Sequence, residues 1–207
     1  MDVLPVFEMF YSLQGEGEFC GMPAFFIRLA GCDVACEFCD EKKAWSKSNS
    51  SLLSVEEILS RVKLSKAENV VITGGEPSLY DLTELCNSLN SAGLKSFLET
   101  AGTNEIKGDF YHITLSPKKN KLPLLKEICG RKIFFNKINS LKVVVDDEDF
   151  SFAERMGALI SEKENVSLFL QPEWTKKDFL LPAIVEYIKE NPAWRLSLQM
   201  HKYINQR

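Results

Sequence analysis

Short apolar runs punctuate the chain at Ala24–Leu29, Asn69–Thr73, Lys95–Glu99, His112–Ser116, Leu141–Val145, Val166–Gln171 and Arg195–Met200. Each is rich in Val, Ile, Leu and Phe and is bounded by turn residues, the pattern of a buried strand. Pro5–Leu13 adds a candidate edge strand. Helical periodicity fills several of the gaps. One helix starts after Ser54, where Glu57 completes a capping box. Leu82–Ala92 is a second, closed by Gly93, and Leu122–Cys129 a third, closed by Gly130. Ser151–Ser161 and Lys177–Asn191, the latter with Pro182 near its first turn, complete the set. Alternation of this kind predicts an α/β fold with a mainly parallel sheet. It leaves open whether the sheet is doubly wound or a partial (β/α) barrel. Lys42–Ser51, rich in Lys, Ser and Asn, reads as a surface loop. Nothing in the pattern divides residues 1–207, so one domain is expected.

Composition narrows the class. With 45% hydrophobic and 26% charged residues the chain is neither disordered nor collagen-like. A net charge of −4 argues against a large nucleic-acid-binding face. No apolar run approaches the length of a membrane span. The opening MDVLPVFEMF lacks the basic start and apolar core of a signal peptide, so a cytoplasmic location is expected.

The chemically unusual segments follow the strands: GCDVACEFCD the first, GGEP the second, TAGTN the third, SPK the fourth, DDED the fifth, QPEW the sixth and HKY the seventh. In a parallel α/β fold such segments converge at the strands' C-terminal ends, where sites are built. Cys32, Cys36 and Cys39 share one loop opened by Gly31, whereas Cys20, Cys86 and Cys129 are scattered and read as packing residues. A structural zinc site wants four ligands. A [4Fe–4S] cluster held by three cysteines leaves one iron open to a ligand. In Thr73-Gly74-Gly75-Glu76-Pro77 the glycines permit close backbone approach and the carboxylate suits an ammonium. His112 opens a strand and reads as structural. His201 lies near the site, in a packing or a catalytic role. Asp146, Asp147, Glu148 and Asp149 read as a solvated loop.

Cys32-x-x-x-Cys36-x-x-Cys39, with Phe38 before the third cysteine and GGEP after the next strand, resembles the radical S-adenosylmethionine (SAM) superfamily. That resemblance implies a [4Fe–4S] cluster whose open iron is chelated by the amino and carboxylate groups of SAM. One electron then breaks a carbon–sulfur bond, and the resulting 5′-deoxyadenosyl radical takes a hydrogen atom from substrate. A narrower resemblance is to the 7-carboxy-7-deazaguanine synthase family. It is carried by FYSLQGEG at 10–17, AFFIRLAGC at 24–32, ETAGT at 99–103, SPK at 116–118 and LSLQMHKY at 196–203, in the family's order over nearly the whole chain.

The family implies an incomplete (β/α) barrel of the radical SAM type, a homodimer, Mg²⁺, and a flavodoxin or ferredoxin as electron donor. Its reaction converts 6-carboxy-5,6,7,8-tetrahydropterin to 7-carboxy-7-deazaguanine with loss of ammonia, SAM being reused. The resemblance implies that Phe38, Cys39, Asp40, Gly75, Ser116, Pro117 and Lys118 contact SAM. Glu99 falls to its ribose, or else to solvent at a strand end, and Gln171 to its adenine side. On the substrate, Glu16 suits the N–H donors of the pterin edge, aided by the backbone of Leu13, Gln14 and Gly15. Arg28 offers a fork for the carboxylate, and Thr73 matches a substrate position. Three residues depart from the pattern. Glu41 stands where threonine commonly serves Mg²⁺, a hard-oxygen replacement. Met200 replaces a common threonine. Arg207 ends the chain where the family's terminal carboxylate reaches substrate. Rival readings are an activating enzyme for glycyl-radical proteins, which has no use for a pterin-reading segment, and a non-catalytic iron–sulfur or zinc module, which needs neither GGEP nor SPK.

Overall fold

A computed structural model describes residues 3–121, 137–160 and 165–206. The expected helix Leu122–Cys129, Cys129 itself and Arg207 lie outside the described residues. The chain forms one nine-stranded sheet in the order β3-β1-β2-β4-β5-β6-β7-β8-β9. The strands are β1 (Val3–Leu13), β2 (Pro23–Leu29), β3 (Ser51–Ser54), β4 (Asn69–Gly74), β5 (Lys95–Thr100), β6 (His112–Leu115), β7 (Ser140–Val145), β8 (Ser167–Pro172) and β9 (Trp194–Leu196). From β2 through β9 neighbouring strands run parallel, while β1 is antiparallel to both β2 and β3. The sheet is therefore an incomplete barrel, with β3 and β9 at its two ends.

The helices are α1 (Val55–Lys63), α2 (Thr83–Ser91), α3 (Ser151–Ile160), α4 (Lys177–Glu190) and the short α5 (Met200–Tyr203). The capping box at α1 is present, with Ser54 Oγ accepting from Glu57 N and Glu57 returning a carboxylate to Ser54 N at 2.7 Å. Two expectations are corrected. Pro5–Leu13 is not the edge: the segment that follows the expected loop pairs outside it as β3, where Leu53 turns into the core while Leu52 faces solvent. The run Arg195–Met200 pairs with β8 only as far as Leu196. There the chain leaves β8 to dock on the β1–β2 turn, Met200 N donating to Gly15 O at 2.9 Å.

Strand alternation sorts the side chains into two environments. Ile27, Leu29, Ile72, Leu98, Leu141, Val143 and Leu170 face outward and meet the helices in the main core. Ala24, Phe26, Val71 and Phe97 face inward and join Phe10, Phe19 and Met22 in a smaller cluster. Above that cluster the inward positions turn polar: Arg28 on β2, Thr73 on β4, Glu99 on β5, Lys142 on β7 and Gln171 on β8. The open side beyond β9 is bridged by the β1–β2 turn, where Gly17 N donates to Ser197 Oγ at 2.9 Å. Gly15 is required there, since a Cβ would lie 2.1 Å from His201 Nδ1.

Candidate active site

The cysteine loop leaves β2 at Gly31, whose carbonyl accepts from Glu76 N at 2.8 Å. Gly75 N donates to Leu29 O at 2.8 Å. A Cβ on Gly74 would sit 2.1 Å from Leu29 O, and one on Gly75 2.0 Å from Gly31 O. The two glycines thus bring the β4 loop against the root of the cysteine loop, a closer constraint than ligand approach alone. Glu76 takes a structural part that its motif did not announce. It is 1% exposed, and its carboxylate accepts from Thr100 Oγ1, Ala101 N and Ser78 N. Burial raises its pKa against those bonds. It ties β4 to β5. TAGTN plays a comparable structural part. Thr103 Oγ1 and Asn104 Nδ2 donate to Asp33 at 3.0 and 3.4 Å, holding the cysteine loop from the β5 side.

Cys32, Cys36 and Cys39 all line a cavity of about 440 Å³ on the inner face of the barrel. Val34 N donates to Cys32 Sγ at 3.4 Å and Trp45 Nε1 to Cys39 Sγ at 3.3 Å. Burial raises the Cys36 thiol, with the Lys118 ammonium working the other way. Among the described residues no three His, Cys, Asp or Glu side chains are gathered into a ready-made metal-ion site. Three soft thiols on one loop, two of them already accepting N–H bonds, fit an iron–sulfur cluster with one open iron.

The same cavity collects the other expected residues. Leu13, Gln14, Gly15, Glu16, Arg28, Phe38, Asp40, Glu41, Thr73, Gly75, Glu99, Ser116, Lys118 and Gln171 line it. Pro117 does not, and it stands beside Lys118, whose ammonium donates to Ser116 Oγ at 2.8 Å. The β1–β2 turn reaches the cavity by another route than the loops that follow the parallel strands. Because β1 is antiparallel, with Leu13 opposite Pro23, the turn lies at the N-terminal end of β2 and enters from the barrel's open side.

Three residues that pattern reading missed organise the interior. Lys142, 5% exposed, lies 2.5 Å from Glu16 Oε2 and 3.0 Å from Glu99 Oε2. Burial opposes its charge, but the two carboxylates outweigh burial and raise its pKa. Burial alone would also raise Glu16, yet Lys142 holds it down at about 2. Glu99 is raised, by burial first and by Glu16 sharing the same cation. Gln14 Nε2 donates to Glu99 Oε1 at 3.3 Å, which places Glu99 beside the Gln14–Glu16 segment in the cavity. Glu8 Oε1 takes Arg28 Nε at 2.8 Å. Gln199 joins Glu16 to Asp40. A lysine inside the otherwise apolar run Leu141–Val145 was a legible signal, since an unpaired buried lysine is rarely tolerated.

The histidines separate as their positions predict. His112 is buried below the cavity, its Nε2 2.8 Å from Ser140 Oγ and its ring against Phe19. His201 lines the cavity and packs on Gly15, and burial lowers its pKa against the pull of Glu16. Cys86 is buried, with its thiol pushed up to about 12. Asp146 and Asp147 pair with Lys119 at the surface.

The model of the radical SAM superfamily matches residues 26–140, and the chain belongs to that superfamily. A 7-carboxy-7-deazaguanine synthase of Flavobacterium psychrophilum is 40% identical over 99% of this chain and 93% of its own length. The enzyme of that name from Synechocystis sp. is 43% identical over 98% and 93%. The crystal structure of QueE from Escherichia coli superposes with a TM-score of 0.82 at 32% identity, covering 96% of this chain and 95% of that one. Within the superfamily, the chain belongs to the 7-carboxy-7-deazaguanine synthase family.

Proposed function

We propose that this protein is a radical SAM lyase converting 6-carboxy-5,6,7,8-tetrahydropterin to 7-carboxy-7-deazaguanine with loss of ammonia, in 7-deazapurine biosynthesis. The observation that carries the reading is one interior cavity shared by the three thiols, the forked cation Arg28 and the acceptor-rich group Gln14, Glu16 and Glu99. The cluster and SAM, when bound, supply one-electron cleavage and abstraction of a hydrogen atom from substrate. Everything else falls to this chain's residues. Cys32, Cys36 and Cys39 hold the cluster; Phe38, Asp40, Gly75 and Ser116 to Lys118 seat SAM, with Gln171 on the adenine side. Arg28 commits Nε to Glu8 and keeps its two terminal nitrogens for the substrate carboxylate. Glu16, kept ionised by Lys142, accepts from the pterin edge. Thr73 and the backbone of Leu13 to Gly15 complete the substrate side. Glu41, whose side chain caps the following 3₁₀ turn, takes Mg²⁺ in place of a threonine hydroxyl. A homodimer, a flavodoxin or ferredoxin donor and a cytoplasmic location follow from the same family reading.

An anaerobic assay with the carboxytetrahydropterin, SAM and dithionite tests the reaction. 7-Carboxy-7-deazaguanine is the expected product, and its absence from iron-loaded protein overturns the reading. Arg28→Ala leaves a desolvated carboxylate unpaired, at a cost on the order of 2–5 kcal/mol. That variant is expected to keep its iron and SAM binding while losing product. Parent-like yield would remove Arg28 from the substrate site.

A further inference from the structure

Gln199 is the residue immediately before α5 and is 8% exposed. Its amide nitrogen donates to two carboxylates at once, Glu16 Oε1 at 2.9 Å and Asp40 Oδ2 at 2.7 Å. Its carbonyl accepts from Lys202 Nζ at 3.0 Å, and that ammonium also lies 2.8 Å from Asp40 Oδ1. These partners fix the orientation of the amide. Reversed, its oxygen would face two carboxylates and its N–H groups an ammonium. Both protons of one planar NH₂ are therefore committed to different segments. Glu16 belongs to the β1–β2 turn, and Asp40 to the cysteine loop, directly after Cys39. Lys142 holds the other oxygen of Glu16, so Gln199 is the side chain through which the interior ion network continues to the cysteine loop.

We propose that Gln199 is a positioning residue that couples the seating of the substrate edge on Glu16 to the geometry of the cysteine loop at Asp40, restricting cleavage of SAM to the substrate-loaded site. The proposal rests on the reading of Glu16 as the acceptor for that edge. A ligand presenting N–H donors to Glu16 competes with the Gln199 amide for the Oε1 lone pairs. As the amide yields Glu16 Oε1 it shifts against Asp40, to which the same NH₂ group is bonded, so the two states of the turn are sensed at the loop. Coupling needs such a differential contact at both ends. Where the latch fails, SAM is cleaved without turnover. The C5′–S bond breaks, methionine leaves, and two electrons from dithionite with one proton from solvent yield 5′-deoxyadenosine. Because SAM is reused in turnover, released 5′-deoxyadenosine measures uncoupling directly.

The experiment compares the parent with Gln199→Leu and Lys202→Met, each iron-loaded, with SAM and dithionite, in the presence and absence of carboxytetrahydropterin. Iron content and SAM binding are measured alongside. In Gln199→Leu these two are expected to match the parent. Released 5′-deoxyadenosine per product should rise at least about tenfold, the size of one lost charge-assisted hydrogen bond. The KM for the pterin should fall, because the amide no longer competes for Glu16 Oε1, whereas a merely structural loss would raise it. Lys202→Met keeps both N–H donors but frees the carbonyl, and should show the same change at reduced amplitude. A parent-like ratio in Gln199→Leu overturns the coupling. If Gln199→Leu fails to fold or to load iron, a parent-like ratio in Lys202→Met overturns it instead. If the parent makes no deazaguanine yet the pterin still stimulates 5′-deoxyadenosine release, and Gln199→Leu releases it without pterin, the proposed reaction fails and the coupling stands. Absence of both product and stimulation overturns both.

Discussion

Two layers share the inner face of the barrel and are held together by different physics. The lower layer is apolar: the rings of Phe10 and Phe26 stack at 5.0 Å, and Phe19 meets Phe97 edge-on at 5.0 Å. Its polar member, His112, hands its hydrogen bond to Ser140, which donates to Glu18 at 3.0 Å. The upper layer is ionic. Glu8, Glu16 and Glu99 stand against Arg28 and Lys142. Burial of apolar area stabilises the lower layer whatever the pH. In the upper layer each ion is tolerated because its neighbour is present. With three carboxylates against two cations, that layer carries an excess of acceptors. Such an excess suits a ligand edge made of N–H donors. The lower layer gives the barrel a rigid base, and the upper one gives it chemical selectivity with less tolerance to change.

Removing the shared cation should break this contrast most strongly. Lys142→Met leaves Glu16 and Glu99 facing each other without compensation, a loss of about 4 kcal/mol of stability at neutral pH. Unpaired and buried, these carboxyls titrate above their unfolded values, so their protonated forms are the favoured ones and stability falls as pH rises through the folded pKa. Denaturant titrations at about pH 4 and about pH 7.5 should therefore show a smaller loss at the lower pH, and adding Glu99→Gln should restore part of it. An equal loss at both pH values would make Lys142 a packing residue. Phe97→Ala in the lower layer, by contrast, should lose about 3 kcal/mol at either pH, because a cavity does not titrate.

The contrast also explains what the sequence could reveal. The rim of the site is made of consecutive residues, Cys32 to Asp40, Gly74 to Pro77 and Ser116 to Lys118, so it reads as motifs. The parallel strands and the α1 cap were legible for a similar reason, since periodicity and Ser54–Glu57 are local signals. The ionic layer is made of single residues at inward positions on different strands. Glu16, Glu99 and Lys142 meet only once the registers are known, and no spacing along the chain announces them. The role of Glu76 was hidden in the opposite way. Its motif was visible, but the carboxylate turned out to serve Thr100, Ala101 and Ser78. The approach of Gln14–Glu16 from the open side depended on β1 being antiparallel, which alternation of apolar residues does not encode.

The parent itself offers a milder test of the ionic layer. Glu16 titrates at about 2 in the folded protein against an ordinary 4.5, because Lys142 and Gln199 favour its charged form over the opposing effect of burial. A lowered carboxylate contributes stability that is complete above about pH 4.5 and fades as the pH falls towards 2. Acid unfolding should therefore show a limb in that window. Glu99→Gln should keep the limb, since Glu16 retains Lys142, and Lys142→Met should lose it. Persistence of the limb in Lys142→Met would assign it to another carboxyl.

The smallest effect is expected from a charge removed at the lower layer. Glu18 is exposed and accepts from Ser140 Oγ, which in turn meets His112. Glutamine at this position keeps a carbonyl acceptor of nearly the same reach, so the hydrogen-bond chain can persist without the charge. An exposed charge in water contributes little Coulomb energy, and Glu18→Gln should change stability by no more than about 0.5 kcal/mol. The same glutamate-to-glutamine change at Glu16 removes an ion that Lys142 needs, and should cost several times as much. Denaturant midpoints of Glu18→Gln and Glu16→Gln, measured side by side, put the two layers on one scale. Equal losses would mean that the lower layer relies on the Glu18 charge after all, and that its indifference to pH holds only for the aromatic rings.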